Sequence, residues 1–252
     1  MGEQMIELSR DGDVFVLTMA HGENRWNTTF VREFDRALDE VERSSGPAAL
    51  VTVSADGKFF SNGLDLEWMG SKGEHPGGDR RVFADEAMTL FGRLITLPVP
   101  TVCAIGGHAF GAGLMIALCH DLRVMRADRG FLCANEVALG FAIPEPELAL
   151  FRHKVPMPAF YETVQFARRW SGTDALSAGI VQRAVAAEEV VPTAMELART
   201  SAPLGTNREV FGWQKEHIYG ENAAINGPHG AAYMLRNNGR FASGPGAIPA
   251  SH

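Results

Sequence analysis

Apolar and polar positions along this chain follow two periods, and the switches between them mark the elements. Met5-Ile6-Glu7-Leu8, the turn signal Arg10-Asp11-Gly12-Asp13, and Val14-Phe15-Val16-Leu17-Thr18-Met19 predict a β-hairpin over 4–20. After a loop rich in Gly, Asn and Arg, the residues Phe30, Phe34, Ala37, Leu38 and Val41 share one helical face. They predict a helix capped by Thr28 or Thr29 and running to about Ser44. Ala48 to Val53 is a short, almost wholly apolar run, the pattern of a strand covered on both faces, and Thr101 to Ile105 reads as another buried strand. Between them a polar, Gly-rich stretch at 70–79 is expected to be mobile. Residues 80–97 then carry Phe83, Ala87, Leu90, Leu94 and Leu97 at helical spacing. A Gly-rich turn from Gly106 leads into a helix from about Gly113 to His120, followed by strands at Leu122–Met125 and Gly130–Cys133.

Strand and helix thus alternate through roughly the first 150 residues, as in parallel βαβ units. Beyond Pro144 the pattern is mainly helical, with candidates at 146–153, 157–170, 173–178, 188–201 and 205–219. From Asn222 the chain is rich in Gly, Asn and Pro, and disorder is expected over its last ten residues. No internal repeat is present.

Composition narrows the class. With 252 residues, 46% hydrophobic and 21% charged, the chain suits one sizeable domain or one domain with a small appendage. A net charge of -7 argues against non-specific nucleic-acid binding. The cysteines, Cys103, Cys119 and Cys133, are odd in number and form no C-x-x-C, which speaks against a disulfide framework or a zinc knuckle. Together with an N-terminus lacking the basic and apolar regions of a signal peptide, this predicts a cytoplasmic protein. The weakly charged run from Val99 to Cys119 has the length of a membrane span. Pro100, Gly106, Gly107, Gly111 and Gly113 interrupt it, so it reads as a buried strand, a turn and a buried helix.

Three segments that follow strands can carry chemistry: Ser61-Asn62-Gly63-Leu64-Asp65, Gly111-Ala112-Gly113 and Ala134-Asn135-Glu136. In the second, small residues lead a strand into a helix, so free peptide N–H groups and the helix dipole can face an anion or oxyanion. The same small residues would equally serve close helix–sheet packing. Glu136 lies among Leu132, Cys133, Ala134, Val137, Ala138, Leu139 and Phe141, where desolvation would make it a stronger base, although a Glu at a surface turn has the same local sequence. Glu145 and Glu147, beyond Pro144, are expected to be solvated. No G-x-S-x-G, H-E-x-x-H, G-x-G-x-x-G or phosphate-loop lysine is present, so serine-hydrolase, zinc, dinucleotide and nucleotide-phosphate chemistries lack support and no metal site is indicated. His108 and His120 read as packed or half-exposed side chains.

Four runs, taken together, resemble the crotonase (enoyl-CoA hydratase/isomerase) superfamily. They are Gly57-Lys58-Phe59-Phe60-Ser61-Asn62-Gly63-Leu64-Asp65-Leu66; the run from Pro100 to Asp121; Asn135-Glu136-Val137-Ala138-Leu139-Gly140; and Ser171 through Val181. The resemblance covers roughly residues 5–200. It implies an α/β fold with a ββα spiral core and a helical C-terminal trimerisation region, divided here as 1–195 and 196–252. It also implies an acyl-CoA thioester substrate, no separate cofactor (coenzyme A arrives as part of the substrate), no nucleic-acid or membrane partner, and a homotrimer or hexamer. By position, the peptide N–H groups of Leu64 and Ala112 would form the oxyanion hole, with Asn62, Gly63, Asp65, Leu66, Gly111 and Asn135 lining the substrate site. Arg25 and Lys58 are candidates for the coenzyme A end, or else solvated surface residues.

Hydratases of this family use two Glu residues. The first falls here at Met115 and the second at Glu136, so one acid–base partner is missing for water addition. A single base is enough for a 1,3-proton shift, and the resemblance is nearest to Δ3,Δ2-enoyl-CoA isomerases, enzymes of fatty-acid β-oxidation. The alternatives are another crotonase-type enzyme, such as a hydratase or thioester hydrolase, and a non-catalytic acyl-CoA-binding protein.

Overall fold

The structure is a computed structural model and describes residues 4–72, 76–221 and 229–241. Its strands are β1 (Ile6–Asp11), β2 (Val14–Met19), β3 (Ala49–Ser54), β4 (Phe59–Ser61), β5 (Thr101–Ile105), β6 (His108–Phe110), β7 (Leu122–Arg126), β8 (Leu132–Cys133) and β9 (Arg183–Val185). Its helices are α1 (Thr28–Arg43), α2 (Leu66–Gly70), α3 (Phe83–Ile95), α4 (Ala112–Cys119), α5 (Glu145–Lys154), α6 (Met157–Val164), α7 (Gly172–Ser177), α8 (Val190–Ser201), α9 (Arg208–Tyr219), α10 (Ala231–Arg236) and α11 (Asn238–Phe241).

Two sheets result. The larger has the order β1-β2-β3-β5-β7-β9, antiparallel only between β1 and β2; the smaller has the order β4-β6-β8 and is parallel throughout. The β1–β2 hairpin closes with Asp11 opposite Val14, and Gly12 takes φ +60° in the two-residue turn, where a Cβ would be strained.

The central strands are mostly apolar because both of their faces are covered. Leu17, Leu50, Cys103, Ile105 and Met125 join a core built with α1, α3 and α4. Their alternates Val51, Val53, Val102, Ala104 and Val124 pack on the other side against Val190, Ala194, Met195 and Ala198 of α8. α1 is capped by Asn27, whose Oδ1 accepts from the Phe30 N–H at 2.9 Å, rather than by Thr28 or Thr29. The Thr28 hydroxyl donates instead to the Asp79 carbonyl at 2.6 Å, and Thr29 N–H donates to the Gly77 carbonyl at 3.0 Å. Residues 76–79 are therefore tied to the start of α1 rather than loose; the rest of the stretch expected to be mobile includes residues 73–75, which lie outside the described residues, as do the last ten.

Other boundaries moved for tertiary reasons. The Gly-rich turn contains a short strand, β6, because Gly107 lets the backbone pass the Lys58 carbonyl, which would sit 2.3 Å from a Cβ there. The helix expected over 157–170 stops at Val164. Ala167 turns at φ +46° and Trp170 bridges to Leu132, exchanging two 2.9 Å hydrogen bonds with it. β9 was not legible as a strand, since its three residues gain their partners only from β7. The Gly- and Asn-rich C-terminal region nevertheless returns to the core, with Ala231, Ala232 and Leu235 of α10 buried in the same cluster as α1 and α3.

Charged groups fasten the C-terminal helices from inside. Lys215 Nζ of α9 lies 2.8 Å from Asp121 Oδ2 and donates to the Val99 carbonyl at 3.1 Å. Lys154 Nζ of α5 donates to the His120 carbonyl, and burial pulls its pKa down to about 7. His120 is fully buried between the Ile116 carbonyl and the Thr52 hydroxyl, and burial pushes its pKa down to about 3, so it is neutral. Among the described residues, no helix is long and apolar enough to cross a membrane.

Candidate active site

The small sheet explains why three segments far apart in sequence share one place. Its strands are parallel neighbours, so their C-terminal ends lie along one edge. From that edge β4 runs into Asn62-Gly63-Leu64, β6 into Gly111-Ala112, and β8 into Ala134-Asn135-Glu136. The strands are two or three residues long and serve chiefly to bring these ends together.

Glycine sets how closely the first two ends approach. Gly63 has φ +76°, and a Cβ on it would lie 2.6 Å from the Phe110 carbonyl oxygen and 3.5 Å from the Ala112 nitrogen. At Gly113 a Cβ would lie 2.4 Å from the Ser61 carbonyl oxygen, so the first turn of α4 rests directly on the end of β4. Leu64 is held by a parallel bridge to Trp26, in which Trp26 N–H donates to the Gly63 carbonyl (2.8 Å) and Asp65 N–H to the Trp26 carbonyl (3.0 Å). That pattern leaves the Leu64 N–H without a hydrogen-bond partner among the described residues. The Ala112 N–H, first in α4, is likewise without a hydrogen-bond partner among the described residues. Ala112 itself has ordinary helical geometry; the unusual backbone falls on Gly111, at φ +51°. Two unpartnered peptide N–H groups on loops in mutual contact are the arrangement an oxyanion needs.

Glu136 borders this pair. Its Oε1 lies 3.2 Å from the position a Cβ would take on Gly111, and the side-chain oxygen of Asn135 lies 3.5 Å from the same point. Its Oε2 is buried and has no hydrogen-bond partner among the described residues. Burial raises the Glu136 pKa above the usual carboxylate range, opposed only by a weaker backbone hydrogen bond. The residue is held by a single 3-10 turn over Val137–Leu139, in which its carbonyl accepts from Leu139 and Phe141 N–H at 2.9 Å each. Met115, on the buried side of α4, presents no acid.

The remaining expected residues divide. Asp65 caps α2 through Oδ1, which accepts from the Trp68 N–H at 3.0 Å, and Leu66 is exposed at the start of that helix. Asn62 donates to Glu23 Oε2 at 2.7 Å, and Arg25 forms an ion pair with the same oxygen at 2.7 Å. Glu23, not singled out in the sequence, therefore organises this rim, and it offsets the charge of Arg25. Lys58 is exposed, with Nζ over the Phe59 ring at 4.9 Å.

Glu147 is a correction. Expected to be solvated, it is half-buried and has no hydrogen bond or ion pair among the described residues. Burial, and then the neighbouring charge of Glu136, push its pKa up to about 8. A helical register contained the signal: Glu147, Leu150, Phe151 and Lys154 share a face of α5, and the last three are buried.

The chain is similar to known proteins over most of its length. The family described as Enoyl-CoA hydratase/isomerase matches residues 10–208. Enoyl-CoA delta isomerase 2, peroxisomal, of Arabidopsis thaliana is 33% identical over 229 residues, covering 88% of this chain and 95% of that protein. Enoyl-CoA delta isomerase 3 of the same plant is 33% identical over 221 residues, covering 86% of this chain and 93% of that protein. Among solved structures, a probable enoyl-CoA hydratase from Mycobacterium tuberculosis H37Rv superposes with a TM-score of 0.77 at 27% identity, covering 92% of each chain. With its parallel small sheet, its paired N–H loops and a match over most of its length, the chain belongs to the enoyl-CoA hydratase/isomerase family of the crotonase superfamily.

Proposed function

We propose that this protein is an enoyl-CoA isomerase that moves the double bond of a 3-enoyl-CoA to the 2-position. The observation that carries the proposal is Glu136: a carboxyl with one buried oxygen, Oε2, that has no hydrogen-bond partner among the described residues, beside two peptide N–H groups that likewise have none. The thioester oxygen sits between the Leu64 and Ala112 N–H groups. Glu136 removes the C2 proton, and the charge that develops on the oxygen meets donors already in place, which need no reorganisation. Desolvation strengthens Glu136 as a base because its charged form is no longer spread into water. The proton then returns at C4, and this shift requires only one base. Water addition requires two acid–base groups, and Met115 stands where hydratases of this family carry the other one.

Similarity to the plant isomerases favours the same activity. Coenzyme A would lie across 23–27 and 58–66, with Lys58 the cation available for its phosphates, since Arg25 is held by Glu23.

The test is absorbance of the conjugated 2-enoyl thioester after mixing protein with a 3-enoyl-CoA. Growth of that signal in wild type and its loss in Glu136→Gln is the expected result. Absence of the signal in wild type, or faster hydration of a 2-enoyl-CoA, would overturn the proposal.

A further inference from the structure

A peptide N–H stabilises an oxyanion only while it points at it, and Leu64 lies between β4 and α2, outside regular structure. Its direction is set by the peptide unit it shares with Gly63. That unit is planar and trans, so the Leu64 N–H points opposite to the Gly63 carbonyl. The carbonyl is pinned by the Trp26 N–H at 2.8 Å. Trp26 is pinned in turn through its side chain, whose Nε1–H donates to the Ser61 hydroxyl at 3.1 Å. The same hydroxyl accepts from the Gly63 N–H at 3.2 Å and donates to the Asn24 carbonyl at 2.7 Å. One donor and two acceptor sites are the full capacity of a hydroxyl, so Ser61 is saturated. Gly63 is thus held at both ends, its N–H on Ser61 and its carbonyl on Trp26.

Packing does not require the two polar groups. Ser61 and Trp26 are both fully buried. A Cβ on Gly113 would lie 2.8 Å from the Ser61 Cβ, so a small residue is needed there, and alanine would fit as well as serine. The indole lies among Phe30 and Phe34 of α1 and Phe91 of α3, with ring centroids 4.9, 6.2 and 5.2 Å away. A phenyl ring would take most of that seat. What the indole and the hydroxyl add is hydrogen bonding, and a buried donor is costly unless it is partnered.

We infer that Ser61 and Trp26 are positioning residues for the oxyanion hole, joined by the indole–hydroxyl bond so that the Leu64 N–H stays aimed at the thioester oxygen. This rests on the reading of Leu64 as an oxyanion donor in an isomerase, and adds to it two side chains that are too deeply buried to touch substrate. The oxygen carries most charge in the enolate-like transition state, so a mis-aimed donor lowers kcat more than it raises KM.

The experiment measures kcat and KM with a 3-enoyl-CoA, across pH, for wild type, Ser61→Ala, Trp26→Phe and the double variant, each shown by circular dichroism to be folded under assay conditions. Ser61→Ala leaves the Trp26 Nε1–H and the Gly63 N–H without their acceptor. Displacement by about 1 Å at a reacting centre costs about 100-fold, and here a donor is displaced rather than deleted, so kcat should fall roughly 10- to 100-fold. KM should stay within about 3-fold of wild type. Trp26→Phe keeps the Gly63 bond and should lower kcat by a smaller factor, roughly 3- to 10-fold. Once the hydroxyl is gone the indole N–H has nothing to hold, so the double variant should fall less than about 2-fold below Ser61→Ala. The pH at which kcat rises should not move, because the chain of bonds does not reach Glu136.

A folded Ser61→Ala with wild-type kcat would overturn the inference. So would a double variant whose loss is the product of the two single losses, the mark of independent structural damage, or a rise in KM at unchanged kcat. A displaced pH profile would also overturn it, by placing the effect on Glu136. Should Ser61→Ala fail to fold, the split between kcat and KM in Trp26→Phe decides in its place. Absence of 2-enoyl product from wild type would overturn the isomerase reading and this inference with it, a result told apart from the others because it needs no variant.

Discussion

Replacing Glu147 by Gln should make the folded protein more stable, by an amount that grows with pH. The carboxyl has an ordinary value of 4.5 when the chain is unfolded and about 8 when it is folded. Below pH 4.5 both states hold the proton, and the substitution exchanges one neutral polar group for another. Between 4.5 and 8 the unfolded chain releases the proton while the folded chain keeps it, so wild type loses roughly 1.4 kcal/mol per pH unit relative to the variant. In full that is about 5 kcal/mol; water reaching the half-buried side chain reduces it, so a gap of about 3 kcal/mol by pH 8 is expected. Above pH 8 the gap levels off. Urea unfolding of both proteins at intervals from pH 4.5 to 9 measures it. A gap that stays flat with pH would mean that the Glu147 carboxyl reaches water freely, and would remove the physical basis for its holding a proton at neutral pH.

Three further outcomes are expected. Ala112→Pro deletes one peptide N–H at the first position of α4, where proline is well accepted, and the preceding Gly111 has no Cβ to clash with the ring. The thermal midpoint should hold while kcat falls about 100- to 1000-fold, the usual loss for one oxyanion donor; an unchanged kcat would exclude Ala112 from the hole. Gly63→Ala places a Cβ 2.6 Å from the Phe110 carbonyl at φ +76°. Strain of about 1–2 kcal/mol from the left-handed backbone, plus the clash, should lower both the urea midpoint and kcat, and normal values for both would show that the two loops are not held in contact. Asp121→Asn strands Lys215 without its counter-ion and should cost about 3–5 kcal/mol in urea unfolding; a loss below 1 kcal/mol would mean that water reaches the Lys215 ammonium.

Most of the elements were legible because their cause is local. The hairpin, α1, β3, α3, β5 and α4 follow from hydrophobic period and turn residues, which act within a few positions along the chain. So did the chemistry-bearing segments, because Gly63, Gly111 and Gly113 are small where backbones meet, and Glu136 sits in an apolar stretch. The cap of α1 was misplaced by one or two residues because Asn27, Thr28 and Thr29 are all competent caps. Tertiary hydrogen bonds from Thr28 and Thr29 to the 76–79 segment leave the task to Asn27. β9 and α10 were missed for the opposite reason: neither has a local pattern strong enough to announce it, and each is held by the surface it meets.

The sequence by itself determined the alternation of strand and helix, the family resemblance, and the glycines that permit two backbone segments to touch. Only the tertiary structure decided which groups share the site. The parallel order of β4, β6 and β8 places three strand ends on one edge, so Gly63, Gly111 and Glu136, far apart in sequence, are brought to the same edge. The path of the chain after Pro144 half-buries Glu147, expected to be solvated, where burial and the charge of Glu136 push its pKa up to about 8. A carboxyl's behaviour depends on the dielectric and the charges around it, and those belong to whatever the fold packs there rather than to the residues beside it in sequence.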